Sequence, residues 1–402
     1  MHHSTAKYFV GLRLTSMAIR KIAVLGAGNG GCAAAADLTL RGYEVRLFSR
    51  SENTLMPIAK RGGIELVEDG TKQFATPFMV SAHLAPVVSG ADLIIIAAPA
   101  VAHEYLAKNL ARYLADGQRI LLNPGHTGGS LHFANILRRA GVKAQIKLCE
   151  TVTLTYICRM PQTARVEIYR RTTSLRCAAF PGKDTSDLVR EIQEIFPNVI
   201  PAVNVLETGF ANINAIMHPA GMLGNAGWIE KTAGDFYYYR EGITPAIAAW
   251  IEEVDRERLA IVQRLGLNPL RFVDIFYQAG LTSEAARISG SIYRAINESE
   301  PNRTIKSPKT LDHRYIKEDV GYGLVPMAEI GKLLGISTPV IDALITLASV
   351  ISGTDYRRDG LTLEKMGLAG VDGEVLTAIL QDGASERRHD PHLFPPPRHG
   401  GG

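Results

Sequence analysis

Two segments far apart in the chain carry residue types suited to moving protons. His218 sits in NVLETGFANINAIMHPAGMLGNAGW, where helical spacing places Asn214, His218 and Asn225 on one face of an otherwise apolar helix. An imidazole is the natural proton shuttle near neutral pH. Pro219 follows directly, removing an N–H and crowding the carbonyl of Ala215, which predicts a kink at His218. A buried structural histidine would show the same pattern, so both readings stand at this point. The second segment, His313-Arg314-Tyr315-Ile316-Lys317-Glu318-Asp319-Val320, offers a carboxylate to orient a histidine and an arginine to clamp a substrate carboxylate. Five-residue spacing puts Arg314 and Asp319 on different helix faces, so both reach one site only if the stretch is partly loop. Its plainer reading is a solvated charged loop. His126, in the glycine-rich loop 123–129, is a third candidate, whereas His83 and His103 read as surface residues. The cluster Phe236-Tyr237-Tyr238-Tyr239 can wall a substrate pocket, with Tyr237 as the contact, or serve as core or as a subunit contact in a homodimer.

An acid–base centre needs something to act on, and the N-terminal part supplies a cofactor grip. The apolar run 22–25 ends in Gly26-Ala27-Gly28-Asn29-Gly30-Gly31, an alanine-rich helical segment follows, and 45–48 is a second strand-like run. Strand, glycine turn, helix and strand form the unit that binds a dinucleotide pyrophosphate. Its first glycine makes the tight turn, the second admits the phosphates, and the last lets helix and strand pack. The helix N-terminus then turns free N–H groups toward the anion. NAD-selective sites place Asp or Glu roughly 20 residues further on. Here that position reads Leu47-Phe48-Ser49-Arg50, where Ser49 can donate to a 2′-phosphate and Arg50 can pair with it. The expectation is NADP(H) over NAD(H), with NAD(H) use compatible if Arg50 is only a solvated surface residue.

The elements that must position these residues follow an α/β pattern. Further strand-like runs at 92–97, 119–122, 146–149, 164–169 and 176–180 alternate with helical segments. In an open α/β sheet ligands bind at the carboxyl ends of the strands, so the glycine turn, Pro99 and the loop beginning at Asn123 should line one cleft. From about residue 204 the pattern changes to helices, expected at 206–230, 244–265, 327–334 and 340–352. The chain of 402 residues is therefore expected to comprise an N-terminal extension (1–18), a Rossmann dinucleotide-binding domain (19–203), a mostly α-helical substrate domain (204–382) and a disordered tail (383–402).

Composition narrows the class of partner. A net charge of +4 with no concentrated Lys/Arg stripe argues against nucleic acid, and the longest apolar stretch is far too short for a membrane span. The four cysteines, Cys32, Cys149, Cys158 and Cys177, are scattered without a CxxC pair, which suggests no metal site and no disulfide framework and fits the cytoplasm.

The segments GAGNGG, LNPGHTGG, ETVTLTYICR, NVLETGFANINAIMHP, YYYREGITP, HRYIKEDVGYGLVP and STPVIDALI followed by TDYR resemble, in order and spacing, the octopine/nopaline-type opine dehydrogenases over roughly residues 20–370. That resemblance implies an NAD(P)H-dependent reductive condensation of an amino acid with a 2-oxo acid. It implies that His218 pairs with Asp319 as the proton-handling centre and that Arg314 holds a carboxylate, and it demotes His126. Asn214 and Tyr237 are expected beside the substrate, and Gly26, Gly28, Asn29, Gly30, Gly31, Ser49, Arg50, Pro99 and Asn123 at the cofactor. His126 departs from the small residue expected at its position. The rival readings are an NADP-dependent oxo-acid reductase similar to ketopantoate reductase, which needs no amine, and a non-catalytic NADP sensor.

Overall fold

The computed structural model describes residues 19–383; the expected N-terminal extension and nearly all of the expected tail lie outside the described residues. The strands are β1 (Lys21–Leu25), β2 (Glu44–Phe48), β3 (Ile64–Glu68), β4 (Thr71–Ala75), β5 (Met79–Ser81), β6 (Leu93–Ile96), β7 (Arg119–Leu122), β8 (Lys147–Thr151), β9 (Tyr156–Gln162), β10 (Arg165–Arg171), β11 (Leu175–Phe180) and β12 (Val199–Pro201). Eight of them form one sheet in the order β12-β11-β8-β7-β6-β1-β2-β5. All neighbours run parallel except β8 and β11. The chain winds one way from β1 to β5 and the other way from β6 to β8, so the crevice of a Rossmann sheet lies outside the ends of β1 and β6.

The side chains of these strands explain why they are central. In β6 all four residues are buried, and successive positions feed opposite cores: Leu93 and Ile95 pack with Ile22 and Val24, whereas Ile94 and Ile96 pack with Ala23 and Leu25. A period of two with both faces apolar is what a strand covered by helices on both sides requires. Burying each such aliphatic side chain contributes about 1.5–3 kcal/mol.

A second, four-stranded sheet has the order β4-β3-β10-β9. It packs on the helix Asn29–Leu40 that follows the glycine turn, and the buried carboxylate of that helix, Asp37, accepts from Tyr156 Oη at 2.8 Å and from Arg171 Nη2 at 2.7 Å. This tie brings the start of β9 to the edge of the crevice. The expected strands at 164–169 and 176–180 are present, but the β3–β4 hairpin and β9 carry no expectation from sequence.

From residue 205 onward the described residues are helical. The expected single helix 206–230 is three: Val205–Phe210, Ile213–Gly224 and Ala226–Thr232. It breaks at Asn212 and Asn225, while Pro219 lies inside the middle helix. Asn225 leaves the helical path because its amide donates to the carbonyls of Gly221 and Gly242, both at 2.8 Å, so it does not share a working face with His218. The helix Pro245–Arg264 starts with Thr244 accepting from Ile247 N and with proline at its first position. Its Glu257 accepts from the N–H groups of Val340 and Ile341, supplying the N-terminus of Pro339–Ser352 with a carboxylate. The helix Arg314–Asp319 runs into a π-helical turn, Val320–Leu324, that lies directly on Ile213–Gly224. A Cβ at Gly323 would stand 2.4 Å from the Ala215 side chain, so only glycine permits that approach. The two helices that carry His218 and Asp319 are thereby locked together.

Candidate active site

A cleft of about 500 Å³ lies between the sheet and the helical part. Its lining joins Gly28, Asn29 and Gly30, the strand ends Ala97–Pro99 and Asn123, the β8–β9 connection, and Asn214, His218, Tyr239, Arg314 and Glu318. The glycine turn has the geometry of a dinucleotide cradle. Gly26 has φ +121°, and a Cβ there would meet Ala97 O at 2.3 Å; a Cβ on Gly31 would meet Gly26 O at 1.8 Å. Gly28, by contrast, faces open space, caps its helix with no side chain, and leads into a first turn without an acidic residue. Backbone N–H groups and the positive end of a twelve-residue helix thus point at the cleft with nothing of like sign to oppose an anion. A pyrophosphate fits this donor set.

Ser49, Arg50 and Ser51 follow β2. Arg50 is exposed, its guanidinium carbon 5.5 Å from the centre of the Tyr105 ring, and Ser49 Oγ accepts from Ser51 N at 3.3 Å. Pro99 and Asn123 both line the cleft, and the Asn123 amide is fixed by a reciprocal pair of bonds with Thr155 at 2.5 and 3.1 Å.

On the opposite wall, His218 is 3% exposed. Its Nδ1 lies 2.7 Å from Asp319 Oδ2 and its Nε2 lies 2.9 Å from Tyr239 Oη. The ring stacks on Tyr315 with centroids 3.6 Å apart and planes 14° from parallel. An ionised Asp319 can only accept, so Nδ1 carries the proton and the Nε2 lone pair receives the Tyr239 hydroxyl. Burial pushes the His218 pKa down, and the Asp319 charge recovers only part of that, so the imidazole is neutral near neutral pH. Asp319 is 1% exposed, and its Oδ1 has no hydrogen-bond partner.

Arg314 and Asp319 reach the site without a loop. Their helix presents Arg314 and Glu318 toward the sheet and Tyr315 and Asp319 toward His218, each pair four residues apart, so the two functions occupy two faces of one helix. This corrects the expectation that a partly irregular stretch was needed. Tyr237 does not line the cleft: it bridges to Lys306, whose ammonium sits 4.5 Å from its ring centre, and the π-helical turn Tyr238–Gly242 that follows delivers Tyr239 instead. His103 is not a surface residue but 1% exposed, and its pKa is pushed down by burial to about 3. His126, demoted on resemblance, lines the cleft beside Glu318. The aromatic cluster expected to wall a pocket does so through Tyr239, whereas no role was expected of Tyr315 and Glu318. The last two were within reach, since they stand four residues before Asp319 and four after Arg314.

Among the described residues no helix is long and apolar enough to cross a membrane, no group of three or more His, Cys, Asp or Glu could hold a metal ion, and the four cysteines are free and buried. Residues 201–352 match the family described as NAD/NADP octopine/nopaline dehydrogenase, alpha-helical domain, and residues 22–123 match ketopantoate reductase PanE/ApbA. The chain is 37% identical over 359 residues to an opine dehydrogenase of Arthrobacter sp. (strain 1C), covering 89% of this chain and 98% of that one. The fold is that of octopine dehydrogenase with NADH and L-arginine (TM-score 0.72, 21% identity, 92% of this chain and 100% of that one). It is equally that of NADP+-bound yersinopine dehydrogenase (TM-score 0.72, 16% identity, 91% and 98%). The chain belongs to the opine dehydrogenase family, NAD(P)-dependent oxidoreductases whose reaction is the reductive condensation of an amino acid with a 2-oxo acid.

Proposed function

We propose that this chain is an NADPH-preferring opine dehydrogenase in which His218, held by Asp319, handles the protons of imine formation. The observation that carries this reading is the 2.7 Å bond between His218 Nδ1 and Asp319 in the wall of the cleft that the glycine turn also lines. Imine formation requires the substrate ammonium to lose a proton and the carbinolamine hydroxyl to leave as water. A neutral imidazole accepts the first proton at Nε2, directly or through the Tyr239 hydroxyl, and returns one to the departing hydroxyl. Asp319 fixes the tautomer and stabilises the imidazolium between these events. The stacked Tyr315 and the Tyr239 hydroxyl hold the ring in one orientation, so little reorganisation accompanies the transfer. Arg314 orients the oxo-acid carboxylate, and Asn214 lies along the same wall as a second polar contact. Gly28, Asn29 and Gly30 would hold the pyrophosphate of a bound dinucleotide, whose chemistry there would be hydride donation to the imine.

Selectivity for the 2′-phosphate rests on Arg50 and on the absence of a carboxylate at Ser49–Ser51. The domain division at residue 203 follows the last strand, β12, after which the described residues build the substrate side. Turnover should be measured across a matrix of amines and 2-oxo acids through NADPH absorbance. NADPH should give the lower KM, and Arg50→Ala should raise it about tenfold while leaving NADH nearly unchanged, the worth of one charge-assisted contact. A preference for NADH that survives Arg50→Ala refutes the cofactor assignment.

A further inference from the structure

The proposed chemistry leaves one buried charged cluster unused. Glu318, next in the chain to Asp319, is 2% exposed. Its Oε1 lies 3.1 Å from His126 Nε2 and accepts from Ala100 N at 2.8 Å, and its Oε2 lies 3.2 Å from Arg314 Nε. His126 belongs to the loop after β7 and Ala100 to the turn after β6, so one carboxylate of the substrate-side helix is fastened to two strand-end loops of the dinucleotide sheet. His126 occupies this place at a cost in backbone conformation, with φ +61°, a region that side chains other than glycine rarely adopt. Burial raises the Glu318 pKa, but His126, Arg314 and the Ala100 N–H outweigh it and hold the carboxyl well below its usual range. Burial likewise opposes charge on His126, and Glu318, with a smaller contribution from Asp319, overcomes it, so the His126 pKa is raised. Arg314 opposes that rise, and His103 stands 6.1 Å away, ring to ring.

The consequence falls on Arg314. A buried Glu318 with no other partner would draw the guanidinium into a two-pronged pair and occupy the donors that a substrate carboxylate needs. With His126 and Ala100 satisfying Oε1, Oε2 accepts no hydrogen bond and meets Arg314 only as an ion pair, nearest at Nε, and the Arg314 side chain stays about half exposed at the cleft wall. We propose that His126 is a positioning residue: through Glu318 it fixes the substrate-side helix against the dinucleotide sheet and keeps the Arg314 guanidinium available to the carboxylate of the 2-oxo acid. The inference rests on the reading of Arg314 given above.

The test is steady-state kinetics with pyruvate, NADPH and the best amine of the matrix, on His126→Gly, His126→Gln, Glu318→Gln and Arg314→Lys. His126→Gly removes the donor and suits the left-handed backbone, but it leaves a cavity and a buried carboxylate short of a partner, so its Tm should fall by a few degrees. Its KM for pyruvate should rise about tenfold, with kcat and the KM for NADPH within about threefold, the mark of lost ground-state binding. His126→Gln, which keeps an N–H for Glu318, should restore most of that loss. Glu318→Gln leaves residue 126 untouched and should show the same selective rise even if the glycine variant fails to fold. Arg314→Lys separates the two ideas. If it raises the pyruvate KM and neither His126→Gly nor Glu318→Gln does, the positioning role is wrong and the reading of Arg314 survives. If Arg314→Lys changes nothing, both fall.

Discussion

Two histidine–carboxylate pairs face the same cleft, and consecutive residues of one short helix supply their acids. His218 meets Asp319 and His126 meets Glu318, at 2.7 and 3.1 Å. Both imidazoles are buried, yet their proton affinities move in opposite directions, down for His218 and up for His126. The difference lies in the company each ring keeps. Desolvation is the largest single influence on both rings, and at His218, which lies among aromatic rings, Asp319 and the weaker Glu318 do not offset it. His126 adjoins a carboxylate that a backbone N–H and an arginine also hold ionised, and that charge prevails over burial. A neutral imidazole can take a proton from an ammonium, whereas a protonated one can hold an anion in place. The same residue types are therefore suited to different tasks because their surroundings move their proton affinities in opposite directions.

The comparison breaks most visibly if the two histidines are removed in turn. His218→Ala should lower kcat by about a thousandfold, within the range of lost general acid–base catalysis, while the Kd for NADPH measured by fluorescence stays within about threefold. The corresponding change at residue 126 should act chiefly on the oxo-acid KM. Equal losses of kcat from both would abolish the distinction. Next in size, Asp319→Asn should cost about a hundredfold in kcat by upsetting the tautomer, and Glu318→Gln far less.

A pH profile sharpens the contrast further. Because the His218 pKa is lowered from 6.5, kcat/KM should persist as the pH falls through 6.5 and decline only below it, as Nε2 becomes protonated. Asp319 raises that pKa, as does Glu318 more weakly, and Arg314 lowers it, so in whatever activity Asp319→Asn retains the acid limb should move to still lower pH. An acid limb above 6.5 would assign the titration to another group.

How much of this was legible in the sequence varies with the range of the interaction. The glycine turn is local: Gly26 and Gly31 close on each other and on Ala97 through sterics that a short motif encodes. The strands β1, β6 and β7 announce themselves as apolar runs because both faces are covered. The β3–β4 hairpin did not, because β4 is largely exposed and β3 pairs with β10, which lies far along the chain. The apolar run 206–230 read as one helix because the hydrogen bonds that end it at Asn225 reach Gly242, which local periodicity cannot register. Within the site, His218, Asp319 and Arg314 were singled out, whereas Tyr239 was missed in favour of Tyr237 because a π-helical turn shifts which ring faces inward. His126 carried a visible oddity, a histidine among glycines, but its partner Glu318 lies in a segment that only the fold brings near.

The decisive measurement follows NADPH absorbance with pyruvate alone, with amino acid alone, and with both, in the parent protein and in His218→Ala. Oxidation is expected only when both substrates are present, with a secondary-amine dicarboxylate by mass spectrometry in matching yield and near-complete loss of that signal in the variant. Rapid oxidation with pyruvate alone, giving lactate, or a variant as active as its parent, would contradict the proposed function.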